Sequence, residues 1–335
     1  MTPGHATLLS GSPQDLPEGW VRVAVRACGL CGTDLHLLKG MDLPRGATYP
    51  VRPGHEVAGV VAETAHPDFA IGHEVALHPL LPCGVCTACT SGRENRCRTA
   101  KALGIDLAGG VAEEVIWPGS RLVRCQGLEP DQASILCDAV ATAYHAFQRA
   151  GLPPAGALTV IGTGGVGAAV LQIARVLDPA AELTAVVRSE VAAERIEGLG
   201  LGIHVLRGLK ESGRRILAER GPQDAVVEFG PGIDVAVEAL PMLGRGGRLI
   251  FGSINDQPLA LPTTVTALVT RELDIAGTYS STIGDLRTVV RLAQDARLNL
   301  TSSISDRFTL EQALAAFDLL SSHRPGQARI VVMPS

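Results

Sequence analysis

Four cysteines in one short segment are the residues of this chain whose type and spacing most directly indicate chemistry. They follow the pattern Cys83-x2-Cys86-x2-Cys89-x7-Cys97. Four thiolates gathered so closely are typical of a closed tetrahedral zinc site. Two disulfides are the alternative, but residues 1–20 lack the basic start and the apolar run of a secretory signal peptide. The sequence therefore favours a structural zinc ion bound by these four side chains.

A glycine-rich segment is the second feature with a defined chemistry. It runs Gly162-Thr163-Gly164-Gly165-Val166-Gly167. The apolar stretch 158–161 precedes it and an apolar helical pattern follows, which is the context that a dinucleotide-binding loop requires. Glycines at the first, third and sixth positions permit a tight turn and let a pyrophosphate approach the helix N-terminus. The sequence favours this site over the alternative, a glycine-rich turn in some other α/β protein.

The end of the next predicted strand bears on the choice of dinucleotide. An NAD-binding chain usually has an acidic residue there, which binds the ribose hydroxyls. This chain has Val187 instead, followed by Arg188 and Ser189. Without a carboxylate a 2′-phosphate is not repelled, and Arg188 can pair with it, helped by Arg195 on the following helix. The sequence therefore favours NADP over NAD. The alternative, a solvated Arg188 and a site that accepts either cofactor, stays open.

The elements that position these two sites differ in kind. The first 140 residues or so contain short strand patterns interrupted by Gly and Pro, which are typical of an irregular β-rich domain. From about residue 135, helical and strand patterns alternate as in βαβ units around a parallel sheet. A tail from about residue 278 is expected to return to the first domain. Strands are predicted over 21–27, 56–63, 74–77, 112–117, 158–161, 183–187, 225–228, 248–251, 273–276 and 329–333. Helices are predicted over 135–150, 165–177, 191–199, 283–295 and 310–320.

Composition limits the class of protein. A length of 335 residues with 46% hydrophobic and 19% charged residues suggests two globular domains. The 29 basic residues are scattered and the net charge is −5, which argues against nucleic acid and anionic membranes as partners. No apolar run approaches the roughly 20 residues that span a bilayer. The eight cysteines fit a reducing cytoplasm, where thiols bind metals rather than form disulfides.

Two further motifs complete the set of candidate residues. They are Cys31-Gly32-Thr33-Asp34-Leu35-His36 and Gly54-His55-Glu56. Together with the cysteine cluster and the glycine-rich loop, in this order, they resemble the zinc-dependent medium-chain alcohol dehydrogenase family. The segments 246–252 and 308–317 take part in the resemblance, which covers almost the whole chain.

The resemblance implies an α/β fold in two domains. A GroES-like β-rich catalytic domain is expected over residues 1–138, with the structural zinc lobe at about 82–98. A Rossmann domain with a doubly wound parallel sheet is expected over 139–277, and a return to the catalytic domain over 278–335. The resemblance places the active site in the cleft between the domains. It also implies a homodimer or homotetramer formed through the cofactor domains.

The resemblance also implies a second, catalytic zinc ion. Cys31 and His55 correspond to two of its ligands, and Asp34 to the carboxylate that orients the ligating histidine. Glu56 corresponds to an acidic residue near the metal that coordinates it transiently. The third ligand departs from the commonest pattern of the family. In many of the proteins that this chain resembles, the ligand stands six residues before an aromatic residue, which here is Tyr144.

That register selects Asp138 as the third ligand, with the adjacent Cys137 as a competitor and a site without zinc as a further alternative. The same register places Thr142 against the nicotinamide. Thr33 corresponds to the hydroxyl that takes the substrate proton, and His36 to the base that passes it to solvent.

The resulting expectation is a cytoplasmic enzyme that reversibly oxidises an alcohol, whether primary, secondary, polyol or cyclitol, to an aldehyde or ketone with NAD or NADP. Zinc as a Lewis acid polarises the oxygen of the alcohol or carbonyl substrate. One alternative is an NADPH-dependent reductase of C=C or C=N bonds that does not rely on a catalytic zinc. The other is a non-catalytic dinucleotide-binding sensor or structural protein, against which the Thr33 and His36 relay argues.

Overall fold

The computed structural model describes residues 1–11, 14–44, 46–230, 235–255, 258–322 and 324–334. The chain divides into two compact units. The first unit comprises Met1–Ala141, Ser281–Arg324 and Ala328–Ser335. The second unit comprises Thr142–Ser280 and Pro325–Gln327. Each unit is built around a sheet of its own.

Strands and helices are numbered in chain order. The strands of the first unit are β1 (Trp20–Leu30), β2 (Glu56–Thr64), β3 (Glu74–Leu77), β4 (Leu80–Leu81), β5 (Lys101–Ala102), β6 (Glu114–Pro118), β7 (Leu122–Arg124), β14 (Ile304–Thr309) and β15 (Arg329–Met333). Its helices are α1 (Gly32–Leu38), α2 (Thr87–Thr90), α3 (Pro130–Ile135), α10 (Ile283–Gln294) and α11 (Ala313–Ser321). A π-helical segment, Leu136–Val140, follows α3 directly.

The main sheet of the first unit has seven strands in the order β14-β15-β1-β2-β3-β7, with β6 also paired to β1. Within β1, the alternate residues Val21, Val23 and Val25 are buried in a core around Trp117. Strands β1 and β2 lie so close at Gly59 that a Cβ there would be 2.1 Å from a backbone oxygen of β1, so this position requires glycine. Short β4 and β5 form a separate pair.

The pairing of β1 with β2 and β15 positions several candidate metal ligands. Gly29 of β1 is opposite Glu56 of β2, and Leu30 is opposite Ile330 of β15. The end of β1 therefore lies beside the start of β2 and the start of β15. Cys31 follows β1 at this place and is the N-cap of α1.

The second unit alternates strands and helices. Its strands are β8 (Ala157–Ile161), β9 (Glu182–Val187), β10 (His204–Arg207), β11 (Gln223–Glu228), β12 (Leu243–Phe251) and β13 (Asp274–Gly277). Its helices are α4 (Ala141–Ala150), α5 (Gly165–Leu177), α6 (Glu190–Glu197), α7 (Ser212–Arg220), α8 (Val235–Met242) and α9 (Val265–Arg271). The first residue of α4, Ala141, is still counted with the first unit.

The sheet of the second unit is parallel throughout, with the order β10-β9-β8-β11-β12-β13. Counted along the chain this is 3-2-1-4-5-6, the strand order of a doubly wound dinucleotide-binding domain. The order reverses between β8 and β11, and ligands of such sheets bind at the carboxyl ends of the strands at this switch point. The predicted α/β fold class is confirmed.

Most elements predicted from the sequence are observed, and β3, α5 and β15 have the predicted bounds. The single helix predicted over 135–150 is wrong in its start and its regularity. Helix α3 begins at Pro130, whose fixed φ suits a first helical position, and the π-helical segment separates it from α4. The sequence patterns do not predict β10, α7 or β14, because α7 and β14 are mostly polar and β10 has only four residues. Among the described residues, no helix combines the length and the apolar character needed to cross a membrane.

Candidate active site

The four cysteines of the 83–97 segment lie together in the first unit, with one sulfur from each within 4.8 Å of the others. The Sγ atoms of Cys86 and Cys89 are 3.4 Å apart, and those of Cys83 and Cys89 are 3.9 Å apart. Tetrahedral zinc with Zn–S bonds of 2.3 Å places its sulfur ligands about 3.8 Å apart. All four cysteines are free thiols. The donor set and its spacing therefore fit a structural zinc ion.

Backbone amides favour the anionic form of part of this cluster. Burial raises the pKa of Cys97, but hydrogen bonds from the Cys83 N–H and from Thr99 lower it to about 6. Burial and the neighbouring thiol of Cys86 raise the pKa of Cys89 to about 12. Adjacent thiols resist joint ionisation unless a cation lies among them. The thiolate is the form that binds zinc, so metal binding would release protons here.

A second group of candidate metal ligands combines Cys31, His55, Glu56 and Asp138, whose ligand atoms all lie within 4.8 Å of one another. Asp138 Oδ2 is 3.9 Å from Cys31 Sγ and 3.6 Å from His55 Nε2. Sulfur, nitrogen and oxygen ligands of one tetrahedral zinc ion lie about 3.4–3.6 Å apart. A thiolate, an imidazole and a carboxylate at these distances fit one zinc ion, and three protein ligands are the usual number in a catalytic zinc site.

Asp34 is a buried carboxylate that connects the backbone to this group. Its Oδ2 accepts a hydrogen bond from Cys31 N at 2.9 Å, and its Oδ1 accepts one from Gly54 N at 3.1 Å. The same Oδ2 lies 3.8 Å from His55 Nδ1, while the other ring nitrogen faces Asp138. Asp34 is thus placed to orient the His55 ring and to hold the two backbone segments that carry the ligands.

Arg329 adds a cation to the group, and the sequence analysis missed it. Its Nη2 is 2.7 Å from Glu56 Oε1 and 3.8 Å from Asp138 Oδ2. The contact with Glu56 is an ion pair without hydrogen-bond alignment, since neither Glu56 oxygen has a hydrogen-bond partner among the described residues. The position of Arg329 at the start of the last predicted strand was the available signal. The pairing of β15 with β1, which brings it here, could not be derived from one sequence.

The electrostatics of the group reflect an excess of negative charge in a buried place. Burial raises the pKa of Glu56 to about 8, although the Arg329 guanidinium opposes the rise. Burial would lower the pKa of His55, but Asp34 and its other neighbours raise it well above its ordinary value. Burial would raise the pKa of Cys31, yet Arg329 and His55 bring it below its ordinary value. A divalent cation would balance these charges in place of the protons.

The structure places Asp138, and not Cys137, beside Cys31 and His55. Cys137 is fully buried, and its thiol donates a hydrogen bond to Val57 O at 3.1 Å. Burial also raises the pKa of Cys137 well above its ordinary value, which disfavours the thiolate. Both residues belong to the π-helical segment, and such segments often occur at functional sites. The geometry favours Asp138 as the third ligand.

Helix α1 carries the two residues of the predicted proton relay. Thr33 Oγ1 lies 4.0 Å from Cys31 Sγ, close to the candidate metal ligands. His36 lies one turn further along α1 and is exposed. A hydroxyl near the ligands and an imidazole at the surface are arranged in the order that proton transfer to solvent requires.

The glycine-rich loop connects β8 to α5 in the second unit. Gly162 has a φ of 85°, and a Cβ there would lie 2.4 Å from Gly230 N. A Cβ on Gly167 would lie 1.9 Å from the carbonyl oxygen of Gly162. The tight turn and the close packing of α5 on β8 thus both require glycine. Gly164 is the N-cap of α5, and Thr142, the other predicted cofactor residue, is buried near the start of α4.

The residues after β9 bear on the dinucleotide. Val187 is buried, and Arg188 is exposed, with no hydrogen bond or ion pair observed within the described part of the chain. The Ser189 side chain caps α6. Arg195 donates a hydrogen bond to the carbonyl of Thr163 in the glycine-rich loop. The end of β9 therefore presents the Arg188 guanidinium. It has no carboxylate at the position where one would repel a 2′-phosphate.

A buried polar network in the first unit is centred on His78. His78 Nδ1 accepts a hydrogen bond from Arg121 Nη2 at 2.6 Å, so the proton is on Nε2, which donates to Ser281 O at 3.1 Å. Arg121 lies 3.5 Å from Glu94, which accepts a hydrogen bond from Ile283 N at 2.8 Å. Burial and Arg121 lower the pKa of His78 to about 3. The network connects the four-cysteine segment to the start of α10.

Comparison with known proteins agrees with this geometry. Residues 17–127 match the alcohol dehydrogenase GroES-like domain. An alcohol dehydrogenase of Geobacillus stearothermophilus is 30% identical over 83% of this chain and 82% of its own. The D-altritol 5-dehydrogenase of Agrobacterium fabrum is 29% identical over 94% of this chain and 92% of its own. A solved structure, a zinc-binding dehydrogenase of Sinorhizobium meliloti bound to NADP, has a TM-score of 0.85 and 26% identity, covering 97% of this chain and 94% of its own.

These similarities extend over both units and confirm the resemblance inferred from the motifs, including the GroES-like and Rossmann-type parts of the fold. The chain therefore belongs to the alcohol dehydrogenases of the medium-chain dehydrogenase/reductase family, and it is an oxidoreductase.

Proposed function

We propose that this chain is a zinc-dependent dehydrogenase that reversibly oxidises an alcohol to an aldehyde or ketone with NADP. The observation that carries the proposal is that Cys31, His55 and Asp138 bring a sulfur, a nitrogen and an oxygen within 4.8 Å of one another, and three such protein ligands of a tetrahedral zinc ion would leave its fourth position to the substrate. Zinc bound there supplies Lewis-acid chemistry, polarising the substrate oxygen and lowering the pKa of a hydroxyl.

The residues around this group prepare it for a metal. Asp34 fixes the backbone at Cys31 and Gly54, and its carboxylate lies 3.8 Å from His55 Nδ1, on the side of the ring opposite Asp138. Burial would raise the pKa of the Cys31 thiol, but the positive charge of Arg329 helps to bring it below its ordinary value, which favours the thiolate that binds zinc. Ligands held in place before the metal arrives lose little conformational entropy on binding it.

The reaction separates a hydride from a proton. NADP⁺ bound at the glycine-rich loop would supply the hydride acceptor: the C–H bond of the alcohol carbon would break with its electron pair going to the cofactor, so that the alcohol would be oxidised and NADP⁺ reduced. The hydroxyl proton passes to the Thr33 hydroxyl and from there to His36, which is exposed to solvent. The reverse reaction returns the proton to the substrate oxygen along the same residues.

The preference for NADP rests on charge. Arg188 is exposed at the end of β9 and is available to pair with a 2′-phosphate, while Val187 offers no carboxylate to repel one. The similar Sinorhizobium meliloti protein is bound to NADP in its structure. Arg195 of α6 donates a hydrogen bond to Thr163 O and so supports the glycine-rich loop, in which Gly162 to Gly167 would hold the pyrophosphate.

We further propose a second zinc ion, bound by Cys83, Cys86, Cys89 and Cys97, which gives two zinc ions per chain. This second ion is structural, because four thiolates close its coordination shell and leave no position for substrate. Thiols used in this way fit a cytoplasmic location.

The substrate class and the assembly are also part of the proposal. The name of the Agrobacterium fabrum relative supports a polyol as the first alcohol to test. The substrate is in any case a small molecule, as for the other alcohol dehydrogenases that the chain matches. For the assembly we propose a homodimer or homotetramer through the second units. Strand β13 is at the edge of its sheet, and the nearby helix α9 exposes 76% of Val265 and 68% of Val269, a surface that a second copy would cover.

The experiment that tests the proposal is a zinc determination on protein purified without added metal, followed by assays with a panel of primary, secondary and polyol substrates and both cofactors. Two zinc ions per chain and NADP-linked oxidation of an alcohol are expected. Cys31→Ser should lose one zinc ion and the activity. One zinc ion in the wild type, with NADPH-linked reduction of C=C or C=N bonds and no alcohol oxidation, would replace the proposal with the reductase alternative.

A further inference from the structure

Glu228 is a buried carboxylate in the second unit for which the proposed reaction has no use. It is the last residue of β11, opposite Ile161 at the end of β8 and Phe251 near the end of β12. It is fully buried, and a charged residue buried in this way needs partners. Its position is the carboxyl edge of the sheet at the strand-order reversal, where the dinucleotide of such a fold binds.

The two oxygens of the Glu228 carboxylate face two different turns at the switch point. Its Oε2 accepts a hydrogen bond from Ser253 Oγ at 2.6 Å, in the turn after β12. Its Oε1 has no hydrogen-bond partner among the described residues and lies 3.7 Å from the position that a Cβ on Gly230 would take. Burial raises the pKa of Glu228, and the hydrogen bonds from Ser253 oppose this rise.

Gly230 in turn supports the glycine-rich loop. The loop begins at Gly162, whose Cβ, if present, would lie 2.4 Å from Gly230 N and 2.5 Å from Gly230 Cα. The backbone of the turn after β11 therefore packs directly against the first glycine of the dinucleotide loop. In addition, Phe229 N donates a hydrogen bond to Ile161 O at 2.9 Å. This bond joins the turn after β11 to the turn after β8, one residue before Gly230 and Gly162. Glu228 is two residues before Gly230 in the chain, and its carboxylate lies close to the backbone against which Gly162 packs.

We propose that Glu228 is a positioning residue for the dinucleotide site, whose carboxylate fixes the turns at Gly230 and Ser253 so that Gly162 and the loop after it keep the shape that receives the pyrophosphate. The inference rests on the proposed function, because it assumes that this loop binds NADP or NAD. It assigns no contact with the cofactor to Glu228 itself. It explains why a carboxylate is buried at the one edge of the sheet where ligands are bound.

The test measures the dissociation constant of NADPH by fluorescence titration and the melting temperature for each variant. Glu228→Gln keeps the shape of the side chain and removes its charge, and we expect about tenfold weaker binding, as for the loss of one charge-assisted hydrogen bond. Ser253→Ala should weaken binding about fivefold, and Ser253→Thr, which keeps the hydroxyl, should bind as the wild type does. In the double variant Glu228→Gln with Ser253→Ala, the two losses should not add, because they remove one shared interaction.

Gln223 provides a matched control. It lies at the opposite end of the same strand, is equally buried and bonds to Thr159. Gln223→Met should lower the melting temperature and leave the NADPH dissociation constant within about twofold of the wild type. Equal binding by Glu228→Gln and wild type would overturn the inference, as would equal weakening by Gln223→Met. If Glu228→Gln does not fold, the Ser253→Ala and Ser253→Thr pair decides. A wild type that binds neither NADPH nor NADH would overturn the proposed function and this inference together, whereas a failure of the variants alone leaves the proposed function intact.

Discussion

His78 makes the stability of the first unit depend on pH. The ring is buried and neutral, since its Nδ1 accepts from Arg121 and only its Nε2 carries a proton. Burial, and after it the positive charge of Arg121, lower the pKa of His78 to about 3 in the folded protein, against 6.5 in the unfolded chain. Between these two values the unfolded chain binds a proton that the folded chain does not. Stability is therefore fully present above pH 6.5 and falls as the pH drops towards 3.

The size of the effect follows from the two pKa values. The full difference between pH 6.5 and pH 3 corresponds to about 5 kcal/mol of unfolding free energy. Only part of this window is accessible in practice. Between pH 7 and pH 4.5 the expected loss is about 2–3 kcal/mol, which is a large share of the stability of a typical domain.

The perturbation is His78→Gln, which keeps a donor and an acceptor for Ser281 and Arg121 but does not titrate. Urea unfolding of wild type and variant is measured at several pH values from 7 to 4.5, and the quantity of interest is the difference between them. Effects of acid on the zinc sites are common to both proteins and cancel in that difference. The variant is expected to be less stable at pH 7 and to lose less stability on acidification. His5→Gln, which changes an exposed histidine, should not alter the pH dependence. A wild-type-minus-variant difference that stays constant from pH 7 to 4.5 would refute the reasoning.

Three further predictions concern the metal and cofactor sites. Asp138→Asn should lose one zinc ion per chain and reduce kcat/KM at least about 100-fold, whereas Cys137→Ser should keep the metal content of the wild type. Zinc analysis and steady-state kinetics compare the two variants. The opposite pattern would make Cys137 the ligand. Cys97→Ser should lose the other zinc ion and lower the melting temperature, because a structural zinc ion contributes its binding energy to folding; an unchanged zinc content would contradict this. Arg188→Ala should raise the dissociation constant of NADPH about tenfold or more and leave the dissociation constant of NADH within about twofold of the wild type, as measured by titration. Equal changes for both cofactors would show that Arg188 does not bind the 2′-phosphate.

The parts of the fold that depend on local pattern could be predicted from the sequence. Helix α5 has an apolar face and a glycine-rich start, and β3 and β15 are short apolar runs between polar residues, so their bounds were available without a structure. The π-helical segment could not be predicted in the same way. Its residues, Leu136–Val140, continue an apolar helical period, and the change from α to π hydrogen bonding depends on packing against strands distant in sequence.

The candidate site shows the same division. The four-cysteine segment is recognisable because its spacing is local, and the glycine-rich loop because strand, turn and helix are consecutive. Arg329 and the network of His78 with Arg121 were missed, because each depends on contacts between residues far apart in the chain. Arg329 reaches Glu56 only because β15 and β2 both pair with β1. No periodicity of the sequence carries that information.

The two candidate zinc sites differ in what holds their ligands, and this predicts different responses to metal removal. Cys31 follows an eleven-residue strand, His55 precedes a nine-residue strand, and Asp138 lies within a helical stretch, with Asp34 bonding the backbone at two of these places. These elements are held by a sheet and a core that need no metal. The four-cysteine segment contains only a four-residue helix, a three-residue 3₁₀ turn and the two-residue strands β4 and β5 beside it.

Elements this short do not fold by themselves, so the metal must supply part of their stability. Chelation should therefore remove the ion at Cys31, His55 and Asp138 first, abolishing activity while the circular dichroism and melting temperature stay close to those of the intact protein. Loss of the second ion should coincide with a lower melting temperature and with proteolytic cleavage between residues 83 and 97. Simultaneous loss of both zinc ions, of activity and of structure would show that the ligands at Cys31, His55 and Asp138 also depend on their metal for their position.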